Sequence, residues 1–215
     1  MSKNDIVVID YGVGNLLSVQ RALEHCGAKS IITSDPEVIL KAEKLLLPGV
    51  GAFSKAMQAL NDRGLVDVLK SLLVKKIPLL GICLGMQMLL DESEEFGLTK
   101  GLGLIPGRVI QIPNKDINGE FQKIPSVGWY SLKFPLGIDS QRSSILKNLK
   151  PNDALYFVHS FMAVPTDEKH RLAYCIYGGH EISAVIQRDN IIGCQFHPEK
   201  SGEVGLGIIS AFIDL

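Results

Sequence analysis

The sequence lacks any imbalance of charge. Among 215 residues, 22 lysines and arginines stand against 23 aspartates and glutamates, a formal net charge of -1. Without a basic surplus there is no bulk electrostatic attraction toward nucleic acid or an anionic membrane, so neither is expected as a partner. Paired cysteines are also missing. Cys26, Cys83, Cys175 and Cys194 lie far apart and form no CxxC unit. That argues against a zinc cluster or a dense disulfide framework and makes a reducing cytoplasm the simpler setting. Long apolar runs are absent as well. "MSKNDIVVID" enters an apolar strand after five residues, without the stretch of a secretory signal. The longest apolar run, residues 78–90, is interrupted by glycines and Gln87 and is too short to span a bilayer. There is no internal repeat or low-complexity linker. With 46% hydrophobic residues the chain can bury one sizeable core, and a single domain over 1–215 is expected.

What is present is an alternation of short apolar runs and helical patterns. "IVVID" (6–10) reads as a buried strand. Asn15 is placed to cap a helix carrying Leu16, Val19, Leu23 and Cys26, which ends at Gly27. "SIIT" (30–33) and "KLLL" (44–47) read as strands, "GLVDVLKSLLVKK" (64–76) as a helix and "IPLLGI" (77–82) as a fourth strand. Continuous apolar strands separated by helices indicate an α/β fold with a parallel sheet covered on both faces. The second half is richer in strands: 108–112, 130–134, 154–160, 171–177, 183–189 and 191–196, before a closing helix at 203–215. The central, mostly parallel sheet flanked by helices therefore has antiparallel additions late in the chain. Residues 113–127 and 135–152 read as loops long enough to serve as binding surfaces.

"GICLG" (81–85) follows the fourth strand and precedes a helix starting near Leu84. A residue on a tight strand-to-helix turn is pushed out at the sheet edge, and this is how a nucleophile is presented. Such a residue often sits in a strained backbone region. Gly81 and Gly85 would relieve the clash it creates with neighbouring backbone. The helix N-terminus favours a thiolate, and the N–H of Leu84 can donate to an oxyanion. A buried structural cysteine is the competing reading.

A cysteine nucleophile needs a base. His25, His170 and His180 carry no such signal. His197, in "GCQFHPEKS", stands just beyond an apolar strand, where sheet ends gather catalytic groups. Pro198 stiffens the turn, and Glu199 is placed to fix the imidazole tautomer and stabilise the imidazolium. A surface histidine or a metal ligand are the competing readings, and no second ligand pair at helical spacing supports metal.

"LLLPGVGAF" (45–53) supplies a second turn. Gly49, Val50 and Gly51 lie at a strand end, where a backbone N–H can face an oxyanion opposite Leu84. Neither this loop nor "GVGNLL" (12–17) has the third glycine or the Gly-Lys-Ser/Thr ending of a nucleotide loop. Gln87, one helical turn after Cys83, is an amide among apolar residues and needs partners.

"PGVGAF", "GICLGMQ", "GLGLIPG", "YFVHSF" and "QFHPEKS" resemble the class I, triad-type glutamine amidotransferases. "DYGVGNLLSV" narrows the resemblance to the glutamine amidotransferase subunits of imidazole glycerol phosphate synthases, of histidine biosynthesis. The likeness runs from end to end. It implies a flavodoxin-like class I amidotransferase fold, with L-glutamine hydrolysed to glutamate and ammonia through a Cys83–His197–Glu199 triad and a glutamyl thioester. Leu84 and the Gly49–Val50–Gly51 loop would hold the oxyanion. Gln87, Glu95, His159, Ser160 and Phe161 would contact glutamine. No metal or organic cofactor is implied. The implied partner is a (βα)₈-barrel cyclase or synthase subunit, forming a heterodimer and receiving ammonia through a channel, with Trp129, Tyr156 and Lys200 at the interface. One segment departs: the family usually reads "PHMGWN" where this chain has "PSVGWY" (125–130). That segment is expected to face the partner. A paralogue feeding a different synthase, for example one amidinating a surface sugar, therefore stays open, as does a catalytically silent partner-binding relative.

Overall fold

The computed structural model describes residues 5–136, 144–150 and 152–215. The strands are β1 (Asp5–Ile9), β2 (Lys29–Thr33), β3 (Leu45–Gly49), β4 (Leu79–Cys83), β5 (Glu92–Ser93), β6 (Thr99–Lys100), β7 (Gly107–Gln111), β8 (Ser126–Ser131), β9 (Ala154–His159), β10 (Phe161–Pro165), β11 (Arg171–Tyr177), β12 (His180–Arg188) and β13 (Ile191–Cys194). The helices are α1 (Leu16–His25), α2 (Pro36–Leu40), α3 (Phe53–Asp62), α4 (Leu65–Lys70), α5 (Leu72–Lys75), α6 (Leu84–Met88) and α7 (Gly202–Ile213).

Seven strands form the central sheet in the order β11-β12-β13-β4-β3-β1-β2. From β2 to β13 every neighbouring pair is parallel, whereas β12 and β11 are added antiparallel. This is the expected architecture. The reason lies in the apolar strands, whose side chains alternate between two cores. Ile6, Val8, Leu46, Leu80 and Ile82 pack on one face with Leu23 of α1 and Ile208 and Phe212 of α7. Val7, Ile9, Leu45, Leu47 and Leu79 pack on the other with Phe53, Leu60, Leu65 and Leu69 of α3 and α4. A strand covered on both sides must be apolar at every position. Among the described residues no helix is long and apolar enough to cross a membrane.

Two smaller layers stand beside this sheet: a four-stranded sheet, β10-β7-β5-β6, and the antiparallel pair β8–β9. Several local expectations are corrected here. The helix expected over 64–76 is split at Ser71, whose hydroxyl donates to the Val68 carbonyl at 2.6 Å, while its N–H reaches both Asp67 and Val68. Such back-bonding competes with continuous helix geometry. The strand expected at 130–134 instead runs from Ser126 to Ser131, because Gly128 hid its alternation. Helix α3 and strand β10 were not anticipated. Part of the loop expected at 135–152 lies outside the described residues.

Candidate active site

The carboxyl ends of β3, β4 and β13 lie side by side, with Gly49 opposite Cys83 and Ile82 opposite Cys194. Parallel strand ends leave a crevice here because the connections diverge to opposite faces. Cys83 closes β4 with φ +54° and ψ -110°, a conformation that non-glycine residues rarely adopt. Three glycines make room for it. A Cβ on Gly85 would sit 1.9 Å from the Leu47 carbonyl oxygen. One on Gly81 would meet the Gly85 backbone at 2.8 Å, and one on Gly49 would meet the Tyr11 hydroxyl at 2.6 Å. The turn can form only where these side chains are absent.

Helix α6, which starts at Leu84, has five residues, little more than one turn. Its aligned dipole is correspondingly short, so groups that donate directly to the sulfur matter more than the helix as a whole. His197 shares the cavity with Cys83 and interacts with it electrostatically. Its Nδ1 lies 2.8 Å from Glu199 Oε1, and both side chains are nearly inaccessible. Burial works against the imidazolium, but the hydrogen bonds and charges of Cys83 and Glu199 outweigh it and raise the His197 pKa to about 9. Burial, first of all, pushes the thiols of the other three cysteines up: Cys175 to about 12, Cys194 well above the usual thiol range, and Cys26 upward.

One cavity of about 290 Å³ is lined by Val50, Gly51, Cys83, Leu84, Gln87, Glu95, His159, Ser160, Phe161 and His197. Ten of the positions singled out from the sequence therefore share one wall. Gly49 lies behind it, under Tyr11, and Glu199 lies behind His197. Glu95 accepts from the Phe53 N–H at 2.6 Å, at the start of α3, where the N-cap Ala52 offers no side-chain bond. This ties the 93–97 segment to the 49–51 loop. His159 Nδ1 lies 2.8 Å from the Phe161 carbonyl oxygen, and burial lowers its pKa to about 4. It is neutral, so it donates through Nδ1 and adds no second cation beside His197.

Trp129 and Tyr156 face each other across β8–β9, with ring centroids 5.7 Å apart, outside the cavity. Trp129 is more than half exposed, and Val127 and Lys200 are exposed too. The expectation that the whole of "PSVGWY" faces outward is corrected. The strand alternates: Val127 and Trp129 point out, while Ser126 is buried and donates to the Tyr130 hydroxyl at 3.2 Å. Tyr130 packs edge-on against Phe157 and Tyr177.

Two residues escaped the sequence reading. Tyr11 donates from its fully buried hydroxyl to the Pro48 carbonyl at 2.8 Å, which pins the start of the glycine loop. Gln195, also fully buried, donates to Cys83 Sγ at 3.7 Å. The signal was available in both cases: a polar atom inside an apolar strand or at its end must find a partner.

The sequence pattern of the family described as "Glutamine amidotransferase class-I" matches residues 7–213. The chain is 48% identical over 212 residues to the imidazole glycerol phosphate synthase subunit HisH 1 of Legionella pneumophila (strain Lens), covering 99% of this chain and 100% of that one. It is 47% identical over 210 residues to the imidazole glycerol phosphate synthase subunit HisH of Geobacillus thermodenitrificans, covering 98% and 95%. Among solved structures, a glutamine amidotransferase superposes with a TM-score of 0.69 at 16% identity, covering 97% of this chain and 99% of that one, a likeness of fold.

Proposed function

The chain belongs to the class-I glutamine amidotransferase family, and from that premise we propose that it is the glutaminase subunit of an imidazole glycerol phosphate synthase, with Cys83, His197 and Glu199 as its triad. One observation carries the reading. A cysteine on a strained strand-end turn shares a cavity with a histidine that is backed by a buried carboxylate, and the glycine loop, Gln87, Glu95 and Ser160 line the same cavity.

The chemistry follows from those positions. The Cys83 thiolate attacks the carboxamide carbon of glutamine, and the carbonyl π electrons move to oxygen. The Leu84 N–H and the Gly49–Gly51 loop stabilise this oxyanion; one such donor contributes about 3–4 kcal/mol. The His197 imidazolium protonates the departing nitrogen, and ammonia leaves as the C–N bond breaks. Water then attacks the glutamyl thioester. His197 takes its proton, the C–S bond breaks toward sulfur, and glutamate is released. Glu199 holds His197 in the tautomer that presents Nε2 to the sulfur.

Ammonia released in a buried cavity needs a route to its acceptor. The exposed Val127, Trp129 and Lys200 beside the cavity suit a docking face for a (βα)₈-barrel cyclase subunit. The departure at "PSVGWY" bears less on the partner than the linear sequence implies. Ser126 and Tyr130 face inward as a matched pair, so position 127 is the one altered position on the outer face, and Trp129 is kept. This favours the histidine-pathway acceptor over a surface-sugar synthase. The cytoplasm, where four free thiols persist, is the fitting compartment.

The test measures glutamate release by the chain alone, with a barrel cyclase subunit of histidine biosynthesis, and with that subunit plus its acceptor nucleotide. The expected result is low activity alone and strong stimulation by subunit and acceptor together, all lost in Cys83→Ala. Stimulation only by a surface-sugar synthase would move the pathway assignment. No glutamate under any condition would overturn the glutaminase reading.

A further inference from the structure

The residues around the sulfur form a polarised relay that the triad does not use. The Phe161 carbonyl can only accept, and it is approached by two groups: His159 Nδ1 at 2.8 Å and Gln87 Nε2 at 3.0 Å. That carbonyl fixes which end of the Gln87 amide faces it, because a flipped amide would set oxygen against oxygen. The same Gln87 nitrogen donates to Gln195 Oε1 at 3.1 Å, which turns the Gln195 nitrogen the other way, onto Cys83 Sγ at 3.7 Å. Gln195 is wholly inaccessible and Gln87 nearly so, so neither amide can exchange these partners for water. With its two hydrogens engaged inside the protein, Gln87 has its Oε1 left to offer a ligand.

Resting on the reading of Cys83 as the nucleophile, we propose that Gln195 is a further catalytic residue, whose side-chain amide donates to the Cys83 thiolate, and that Gln87 is the positioning residue that fixes its direction. The relay begins at an acceptor and alternates donor with acceptor through two amides, so it delivers a donor to the sulfur. A thiolate accepts strongly, while a thiol accepts weakly. The relay therefore acts where sulfur carries charge, before attack and again when the C–S bond of the thioester breaks and its electron pair returns to sulfur. In the thioester itself the sulfur is a poor acceptor, so the amide gives no extra stability to the intermediate. His197 lies in the same cavity and adds a positive charge beside the sulfur when protonated.

The experiment follows alkylation of Cys83 by iodoacetamide from pH 5 to pH 10, with the labelled peptide assigned by mass spectrometry, in the full chain and in Gln195→Leu and Gln87→Leu. A hydrogen bond to a charged group sets the scale. In Gln195→Leu the midpoint of the rising limb moves up about one pH unit, and labelling at pH values below both midpoints slows about tenfold. The plateau rate at high pH stays level, which separates loss of thiolate stabilisation from a collapsed cavity. Gln87→Leu keeps Gln195 but frees its amide, and shifts the midpoint the same way by less. Should Gln195→Leu lose its cooperative melting transition, the Gln87→Leu midpoint decides. Unmoved midpoints in folded variants overturn the relay and leave the glutaminase reading intact. A wild-type Cys83 no more reactive than Cys26 overturns both.

Discussion

The two turns that meet at the cavity are built by opposite means. The Cys83 turn is held by exclusion: its backbone lies at φ +54°, and three glycines make space that a single methyl would fill. The His197 turn is unstrained, at φ -99°, and is held by polar bonds. The His197 N–H donates to the Tyr156 carbonyl at 2.9 Å. The Ser201 hydroxyl donates to the His197 carbonyl at 2.6 Å and accepts from the Tyr156 N–H at 2.9 Å. A strained residue costs about 1–3 kcal/mol and persists only where its surroundings over-determine it. The position of Cys83 is therefore all-or-none, while the position and charge of His197 can be tuned bond by bond. The first turn should break under small steric changes, and the second should yield by degrees.

Gly85→Ala is the severest way to test the first half of that contrast. Its new Cβ would lie 1.9 Å from backbone, at the Leu47 carbonyl oxygen, which has no flexible end to swing away. The strand or the helix must shift, at a cost of about 3 kcal/mol or more, and glutaminase activity is lost with it. Thermal unfolding should fall by about 6 °C or more. Gly207→Ala in α7, where a Cβ meets nothing within 4 Å, is the control. It should be neutral or raise stability by about 0.5–1 kcal/mol. Equal tolerance at the two glycines would refute the exclusion argument.

Glu199→Gln tests the tunable turn and should act on charge more than on structure. An amide oxygen can still accept from His197 Nδ1, but the carboxylate charge is gone. The His197 pKa is raised from 6.5 to about 9 in the folded chain, so the imidazolium's contribution to stability is full below pH 6.5 and is lost as pH rises through about 9. Activity that depends on the charged pair should fall over the same alkaline limb. In Glu199→Gln that limb moves to lower pH, and kcat at neutral pH drops about a hundredfold with a smaller change in KM. A pH–rate profile of kcat/KM checks this. An alkaline limb that stays in place would show that Glu199 does not set the charge on His197.

The same contrast decides what the sequence made legible. Gly81 and Gly85 around Cys83 could be read directly, because steric necessity leaves a residue-type signature. The apolar strands were legible for the same reason, since burial on both faces dictates every position. Hydrogen-bonded features were harder. Ser201, Gln195 and Tyr11 each bond a residue 37 to 112 positions away along the chain, so a local pattern can show that they need a partner but not which one. Ser126 and Tyr130 show the limit most clearly. As two unrelated departures from a family motif they suggested a changed outer surface, whereas β8 pairs them through one inward-facing hydrogen bond. Alternation along a strand was readable in principle, but Gly128 in its middle masked the strand.

Ser201→Ala probes the gentlest end of the comparison. The hydroxyl bridges two backbone segments, donating to His197 and accepting from Tyr156, and the side chain is buried. After its removal the His197 carbonyl still accepts from the Lys200 N–H at 3.0 Å, so that oxygen keeps a partner. The Tyr156 N–H loses its acceptor at a part-buried position, which costs about 1–2 kcal/mol. Melting should fall by about 3–5 °C, less than the Gly85→Ala effect. The imidazole keeps Glu199 and loses part of its backbone anchor, so kcat should fall a few-fold while KM holds. If Ser201→Ala were as damaging as Gly85→Ala, His197 would be held as rigidly as Cys83, and the division between exclusion and hydrogen bonding would fail.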